Sequence, residues 1–354
     1  MKTRSLGTTG LKVSPLCLGA MMFGYEGNGD HDECIRMIDV AIENGIDFID
    51  TADAYSDGES EEIVGKALRG RRDAIVLATK GHFQMGEGRN RSGNSRRWLT
   101  QAVEGSLRRL ETDWIDLYQV HRPDPSTELE ETLSVLTDLV HQGKIRAFGC
   151  STFPPSEIVE AYYVGERRGL ERFRTEQPPY SLLTRGIEGS VLPICERLRM
   201  GVLTWSPLAW GMLSGKYRKG QPVDFGTGRP AIDPSRFDPQ NPETAVEFEI
   251  VEQFVELASS IELTLPELAL AFPPAHRAVT SVIIGPRTID QLESSLKAAS
   301  ITLDDATLDR IDEIVPPGTN VPHGGSIYSG GLWRSPALTE PSLRRRPLAE
   351  RAAA

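Results

Sequence analysis

One of the six histidines in this 354-residue chain, His121, closes the apolar run "IDLYQVH". Such a run needs no imidazole to pack, so a histidine at its end marks a place where chemistry could occur. Two earlier runs close in a similar way: "IDFIDTA" carries Asp50 at its end with Tyr55 just beyond, and "AIVLATK" finishes on Lys80. A tyrosine is a poor acid near neutrality because its free pKa is about 10, but a neighbouring ammonium stabilises the phenolate. Lys80 can supply that charge. Asp50 can hold Lys80 in place and keep it protonated, while His121 donates a hydrogen bond to a carbonyl oxygen. Carbonyl reduction needs that proton donor and that oxyanion site, together with a source of hydride. Singly, each residue has an ordinary role: a structural histidine, a loop aromatic, a surface lysine. The succession Asp, Tyr, Lys, His over three consecutive strand ends favours one shared site.

Bringing those residues together demands strands that all end on one face. Eight β-rich runs alternate with helical patterns from about residue 13 to 299: "PLCLGA", "IDFIDTA", "AIVLATK", "IDLYQVH", "IRAFGCS", "FRTEQ", "GVLTWSP" and "SVIIG". Between them "DECIRMIDVAIENG", "ESEEIVGKALRG", "RRWLTQAVEGSLRRL", "ELEETLSVLTDLVHQGK" and "PSEIVEAYYVGERRG" place apolar residues at three- and four-residue spacing, as crossover helices do. Eight apolar strands, each followed by a helix, specify a (β/α)8 TIM barrel of the α/β class. A doubly wound sheet would want GxGxxG after its first strand, and none is present. A barrel builds its site at the carboxyl ends of its strands. The remaining ends there are Ser151 with Thr152, Gln177, Trp205 with Ser206, and Gly285.

Two additions flank the repeat. "SLGTTGLKVS" reads as an N-terminal hairpin turning at Gly10, and "LDDATLDRIDEIV" as an extra C-terminal helix. The barrel domain is expected over residues 1–315 and a partly disordered tail over 316–354, above all in "LRRRPLAERAAA". Within that tail His323, Tyr328 and Trp333 could cap the pocket or lie on the surface. Connections at 82–95, 214–242 and 317–340 exceed ordinary loop lengths and are candidate lids or substrate walls.

A hydrophobic fraction of 39% and a charged fraction of 25% fit a globular protein, and no apolar stretch is long enough for a bilayer. The beginning lacks the apolar core of a signal peptide, and Cys17, Cys34, Cys150 and Cys195 show no CxxC or zinc spacing, so a reducing cytoplasm is expected. A net charge of −11 argues against nucleic-acid binding and leaves a small molecule as the expected partner. A metal-dependent barrel hydrolase would need His, Asp and Glu at several strand ends, where only His121 and Asp50 qualify. Oligomeric state stays open.

The chain also resembles the aldo-keto reductase family over nearly all of residues 1–315, through "GIDFIDTADAYSDGESEEIVGKAL", "LATK", "IDLYQVHRPD", "GKIRAFGCST", "EQPPYSLL", "WSPLAWGMLSGKY" and "VIIGPRTIDQLESSL". "LGTTGLKVSPLCLGAMMFG" makes it most similar to the branch of bacterial general reductases and potassium-channel β subunits. The resemblance implies a catalytic tetrad at Asp50, Tyr55, Lys80 and His121, and NADPH lying across the barrel mouth without a Rossmann motif. It assigns the cofactor to Gly19, Met21 and Asp50; to Ser151, Thr152 and Gln177 at the carboxamide; and to Trp205 against the nicotinamide ring. Ser206, Pro207, Leu208, Ala209, Gly211, Lys216 and Arg236 would surround the pyrophosphate. Gly285, Arg287 and Gln291 would hold the adenosine end, with Arg287 either pairing with a 2′-phosphate or remaining a solvated loop charge. Three positions depart from the pattern: Thr152 in "GCSTF" replaces an amide, and Ser294 and Ser295 replace a Glu-Asn pair. Met22, Tyr25, Phe83, Phe153 and Trp210 are expected as pocket walls suited to an aromatic or bulky carbonyl compound. The expected activity is NADPH-dependent reduction of an aldehyde or ketone. The alternative is a redox-sensing NADP(H)-binding regulatory protein with slow turnover.

Overall fold

Apolar runs of this kind are buried on both faces only as parallel strands beneath helices, and the computed structural model, which describes residues 1–321 and 341–351, builds them so. The chain begins with an antiparallel hairpin, β1 (Arg4–Ser5) and β2 (Lys12–Val13). The barrel strands follow: β3 (Leu16–Gly19), β4 (Phe48–Asp50), β5 (Val76–Gly81), β6 (Ile115–Val120), β7 (Ile145–Ser151), β8 (Thr175–Gln177), β9 (Gly201–Thr204) and β10 (Ser281–Ile284). Every neighbouring pair is parallel, and β10 closes onto β3 through Val282 beside Leu16.

Alternation along the strands makes two cores. Cys17, Phe48, Ala78, Leu117, Ala147, Leu203 and Ile283 point inward and meet Leu6 and Val13 of the hairpin, which plugs the amino-terminal end of the barrel. The plug fits closely: a Cβ on Gly7, whose φ is +55°, would come within 2.4 Å of the Gly201 nitrogen. Their neighbours Leu16, Leu18, Ile49, Leu77, Phe148 and Val202 point outward under the helices.

The covering helices are α1 (His31–Glu43), α2 (Glu59–Ala67), α3 (Arg96–Arg109), α4 (Leu129–His141), α5 (Pro155–Arg168), α6 (Val191–Arg197), α7 (Gly228–Ile232), α8 (Pro242–Ser260), α9 (Leu265–Ala275), α10 (Ile289–Ala298) and α11 (Asp305–Ile314). One helix per strand is exceeded after β9, where the connection at 214–242 holds the short α7 and both α8 and α9 follow; Thr264 and Glu267 form a capping box at the start of α9. None of the described helices is long and apolar enough to cross a membrane.

As far as residue 351, the "LRRRPLAERAAA" end lies against α11. Its arginines match a stripe of acids on one face of α11: Arg344 pairs with Asp312, Arg345 with Asp309 (2.8 Å) and Asp312 (2.7 Å), and Arg351 with Asp305 (2.8 Å). A cationic run reads as solvated chain when viewed alone; here a partner surface of opposite sign lies i, i+4 and i+7 along a helix. His323, Tyr328 and Trp333 lie outside the described residues.

The same acidic face anchors the loop after β8. Arg185, 1% exposed, grips Glu188 with Nε (2.7 Å) and Nη2 (3.0 Å), and Asp312 at 2.7 Å, while Tyr180 donates to Glu188 at 2.8 Å. Removing one partner of such a buried group typically costs about 3–5 kcal/mol because a charge is left uncompensated. Arg185→Met is therefore expected to lower unfolding free energy by about that amount in urea titrations; a loss below about 1 kcal/mol would show the network to be dispensable.

Candidate active site

Lys80 lies inside the barrel near the end of β5 with no exposed surface, and its three ammonium protons all find acceptors. Nζ donates to Asp50 Oδ2 at 2.6 Å, to the Thr51 carbonyl at 2.7 Å and to the Tyr55 hydroxyl at 3.1 Å. Burial alone would pull its pKa down, but Asp50 and the Tyr55 phenol outweigh that and leave it above the ordinary lysine value. Asp50 is fixed in turn: its Oδ1 accepts from Gln177 at 2.9 Å and from Gln119 at 3.4 Å.

The neighbourhood of Tyr55 differs in one respect from the expectation. Lys80 does lower the phenol's pKa, but burial raises it more and Asp50 adds to the rise, so the net shift is upward. His121 follows β6, and its ring stands edge-on to that of Tyr55 with centroids 5.7 Å apart. Burial, then the charges of Lys80 and Arg122, holds the imidazole well below its usual range, so it is neutral at pH 7. Its buried Nδ1 has no partner. The arrangement joins a protonated phenol, an ammonium that stabilises the phenolate, and a neutral imidazole beside both.

The turn carrying Tyr55 is strained. Ser56 (φ 47°) and Asp57 (φ 51°) are left-handed and Gly58 (φ 100°) follows, an arrangement costing about 1–3 kcal/mol per non-glycine residue. The segment after β3 holds the turn in place. Ser56 Oγ donates to the Phe23 carbonyl and accepts from Glu26 N, both at 3.3 Å, and Tyr25 donates to Asp57 at 2.8 Å.

Around the mouth, Ser151 donates to the Gln177 carbonyl at 2.9 Å and Thr152 is left-handed (φ 61°). Trp205 is half-buried beyond β9, and the chain after it turns through Ser206, Pro207, Leu208, Ala209 and Gly211 with positive φ at Ser206, Ala209, Trp210 and Gly211. The N–H groups of Ala209, Trp210 and Gly211 bond within this turn. Positive charge comes instead from arginines: Arg229 and Arg236 lie 4.7 and 5.6 Å from the Trp210 ring, and burial, then the charge of Arg287, lowers the pKa of Arg229. Arg236 Nε and Nη2 are buried without partners. Gln291 accepts from Arg287 N at 2.9 Å and steadies its loop, Gly285 opens onto empty space, and Lys216 is exposed. Met21 is exposed at the rim, whereas Gly19 serves packing, since a Cβ there would meet Ile283 at 2.6 Å. Ser294 is exposed and Ser295 bonds back to the Gln291 carbonyl at 2.8 Å.

Of the expected walls, Tyr25, Phe83 and Trp210 are exposed and Met22 is largely buried, with Sδ against Arg229. Phe153 is a correction: it has no exposed surface and packs on Phe173, centroids 5.3 Å apart, beneath the helices. Gln119, Arg122, Arg229 and Asp53 went unrecognised as site residues. Gln119 had a signal, since it lies two positions before His121 and so on the same strand face. No cluster able to hold a metal ion occurs among the described residues.

Residues 15–316 match the model of the aldo/keto reductase family. Full-length similarity extends to an uncharacterized oxidoreductase, YrpG, of Bacillus subtilis (strain 168), at 38% identity over 91% of this chain and 98% of that protein. Probable voltage-gated potassium channel β subunits of Oryza sativa subsp. japonica and Arabidopsis thaliana are each 33% identical over 89% of this chain and 97% of their own length.

Behind Lys80 lies a second buried acid. Asp53 N donates to the Lys80 carbonyl at 3.1 Å, yet both its carboxyl oxygens are buried without a partner. Burial, and then Glu61, push its pKa up to about 8, with Arg109 opposing. Folded Asp53 thus keeps a proton that the unfolded chain loses near pH 4. The contribution of Asp53 to stability therefore falls as pH rises across that interval and levels off above about 8. Asp53→Asn cannot ionise, so its stability relative to wild type should grow between pH 5 and pH 8 in urea unfolding; a pH-independent difference would refute the assignment.

Proposed function

Because the chain belongs to the aldo/keto reductase family, we propose that it is an oxidoreductase that reduces an aldehyde or ketone to an alcohol with NADPH. The observation that carries this reading is the Lys80 ammonium 3.1 Å from the Tyr55 hydroxyl and 2.6 Å from Asp50, with a neutral imidazole edge-on to the phenol.

The family uses a nicotinamide cofactor, and the barrel mouth suits an anionic dinucleotide. Arg236 has buried N–H groups without partners, Arg229 lies near both Arg236 and Arg287, the Trp205 indole is half-exposed, and Gly285 leaves space. Ser151, Thr152 and Gln177 would hold the carboxamide, Trp205 the ring, Ser206 to Gly211 with Lys216 and Arg236 the pyrophosphate, and Arg287 the 2′-phosphate that distinguishes NADPH from NADH. When bound, the reduced nicotinamide supplies the hydride to the carbonyl carbon.

The residues of the chain then manage the oxygen. His121 donates one N–H to the carbonyl oxygen and orients it. Tyr55, kept protonated at neutral pH by burial, gives its proton to that oxygen as negative charge develops. Lys80 stabilises the resulting phenolate, and Asp50, held by Gln177 and Gln119, keeps Lys80 charged and in place.

The likeness to plant proteins named as potassium channel β subunits favours a second reading, a redox-sensing NADP(H)-binding regulatory protein. Turnover separates the two. Losing a positioned general acid costs about two to four orders of magnitude in rate. Tyr55→Phe is expected to lose NADPH consumption by that factor across aromatic aldehydes, α-dicarbonyls and aliphatic ketones, while NADPH still quenches tryptophan fluorescence. Tight NADPH binding without turnover in the wild-type protein would favour the sensor; full turnover in Tyr55→Phe would remove that residue from the mechanism.

A further inference from the structure

Two buried groups of opposite charge lie near the barrel mouth without a hydrogen bond between them. Glu247, on α8, has no exposed surface, and neither of its carboxyl oxygens has a partner. Arg236, in the single turn Pro234–Phe237 before that helix, has Nε and Nη2 buried and equally without partners. Such groups are rare, because each forgoes free energy that a partner would recover. The two lie within electrostatic reach: among the described residues Arg236 supplies the charge felt by Glu247, and Glu247, then Asp233, supply the negative charge felt by Arg236. Packing fixes their relation. Thr244, one turn before Glu247 on α8, donates from Oγ1 to the Ser235 carbonyl at 3.4 Å, and buried Phe237 meets Tyr217 with ring centroids 4.6 Å apart. Burial pushes the Glu247 carboxyl up to about 7, with Arg236 opposing. On the mouth side, the Arg236 guanidinium shares the Trp210 ring with Arg229, and the two cations repel.

We infer that Glu247 is a positioning residue that shares Arg236 with the cofactor: the guanidinium closes on the Glu247 carboxylate when no anion occupies the mouth, and when the phosphates of NADPH hold it beside Trp210 the carboxyl takes up a proton from solvent. This inference rests on the reading of the mouth as an NADPH site. A guanidinium crowded by Arg229 needs a counter-charge, and a carboxylate and a phosphate both match its paired N–H donors. A carboxylate with no exposed surface does not stay ionised once its cation has gone, since neutralisation costs less than an isolated buried charge. The exchange moves up to one proton from solvent to Glu247 for each NADPH bound and changes no covalent bond of the cofactor. A site that takes up a proton on binding holds its ligand more tightly as pH falls. With the unpartnered carboxyl titrating at about 7 and the paired one near its ordinary value, this exchange should tighten NADPH binding about tenfold between pH 8 and pH 6.

The test needs no turnover. Calorimetric titration of the full-length protein with NADPH at pH 6.5, in two buffers of different ionisation enthalpy, counts the protons taken up. The 2′-phosphate of NADPH titrates near 6 and contributes to every titration, so the quantity read is the difference between proteins. The wild-type protein is expected to take up about half a proton or more beyond Glu247→Gln, which cannot ionise. That variant should also bind NADPH more tightly than wild type at pH 8, where the competing carboxylate is lost, an effect that a merely structural role would not produce. Arg236→Gln should lose the same excess of protons while binding more weakly at every pH, and it serves as the comparison if Glu247→Gln does not fold. Equal proton uptake in wild type and variants, or weaker binding by folded Glu247→Gln at pH 8, overturns this inference and leaves the reductase reading standing. A wild-type protein that does not bind NADPH overturns both.

Discussion

An ammonium without solvent is among the most expensive groups a fold can contain: the idealised penalty for transferring such an ion into a protein interior is on the order of 20 kcal/mol. Lys80 meets that demand only because its three protons reach Asp50, Thr51 and Tyr55 together. Asp50 is held from two further strands, by Gln119 of β6 and Gln177 of β8. The pairings that set Asp50 beside Ala78, Lys80 beside Gln119 and Ser151 beside Gln177 are therefore conditions for the charge to exist where it does. A slip of one residue in any of those strands would turn these side chains to the other face and strand the ammonium.

The phenol depends on the same pair in a more delicate way. A nearby cation favours the phenolate and burial favours the phenol, and here burial prevails. The outcome suits an acid, since the proton must be present before it can be given. The strained residues after Tyr55 fit this picture: Ser56 and Asp57 are held by Phe23, Tyr25 and Glu26, and the hydroxyl stays against Lys80.

Much of this was legible in the sequence, because period and position are local properties. Eight apolar runs with helical spacers specify a barrel, and a barrel assembles its strand ends, so the sequence alone places Asp50, Lys80 and His121 together. What escaped depends on contacts between distant segments. Arg122 follows His121 by one position, but its bed is made by Phe83 and Trp205 from two other loops. Phe153 stands just past a strand end, where a wall residue would, yet beyond the left-handed Thr152 it enters the helix layer against Phe173. Asp53 looks like any loop acid; its isolation follows from packing next to Gly81 and Tyr118, where even one more carbon on Gly81 would come within 2.1 Å of the Tyr118 hydroxyl. The arginines after residue 343 read as loose chain until α11 presents its acids.

The hairpin at the amino-terminal end has a consequence of its own. Leu6 and Val13 fill the floor of the barrel and pack against the inward residues of its strands, so the barrel interior is closed at that end. A plugged far end gives the barrel a polarity that its repeated strands lack, leaving the loops at the carboxyl ends as the side on which its interior faces outward.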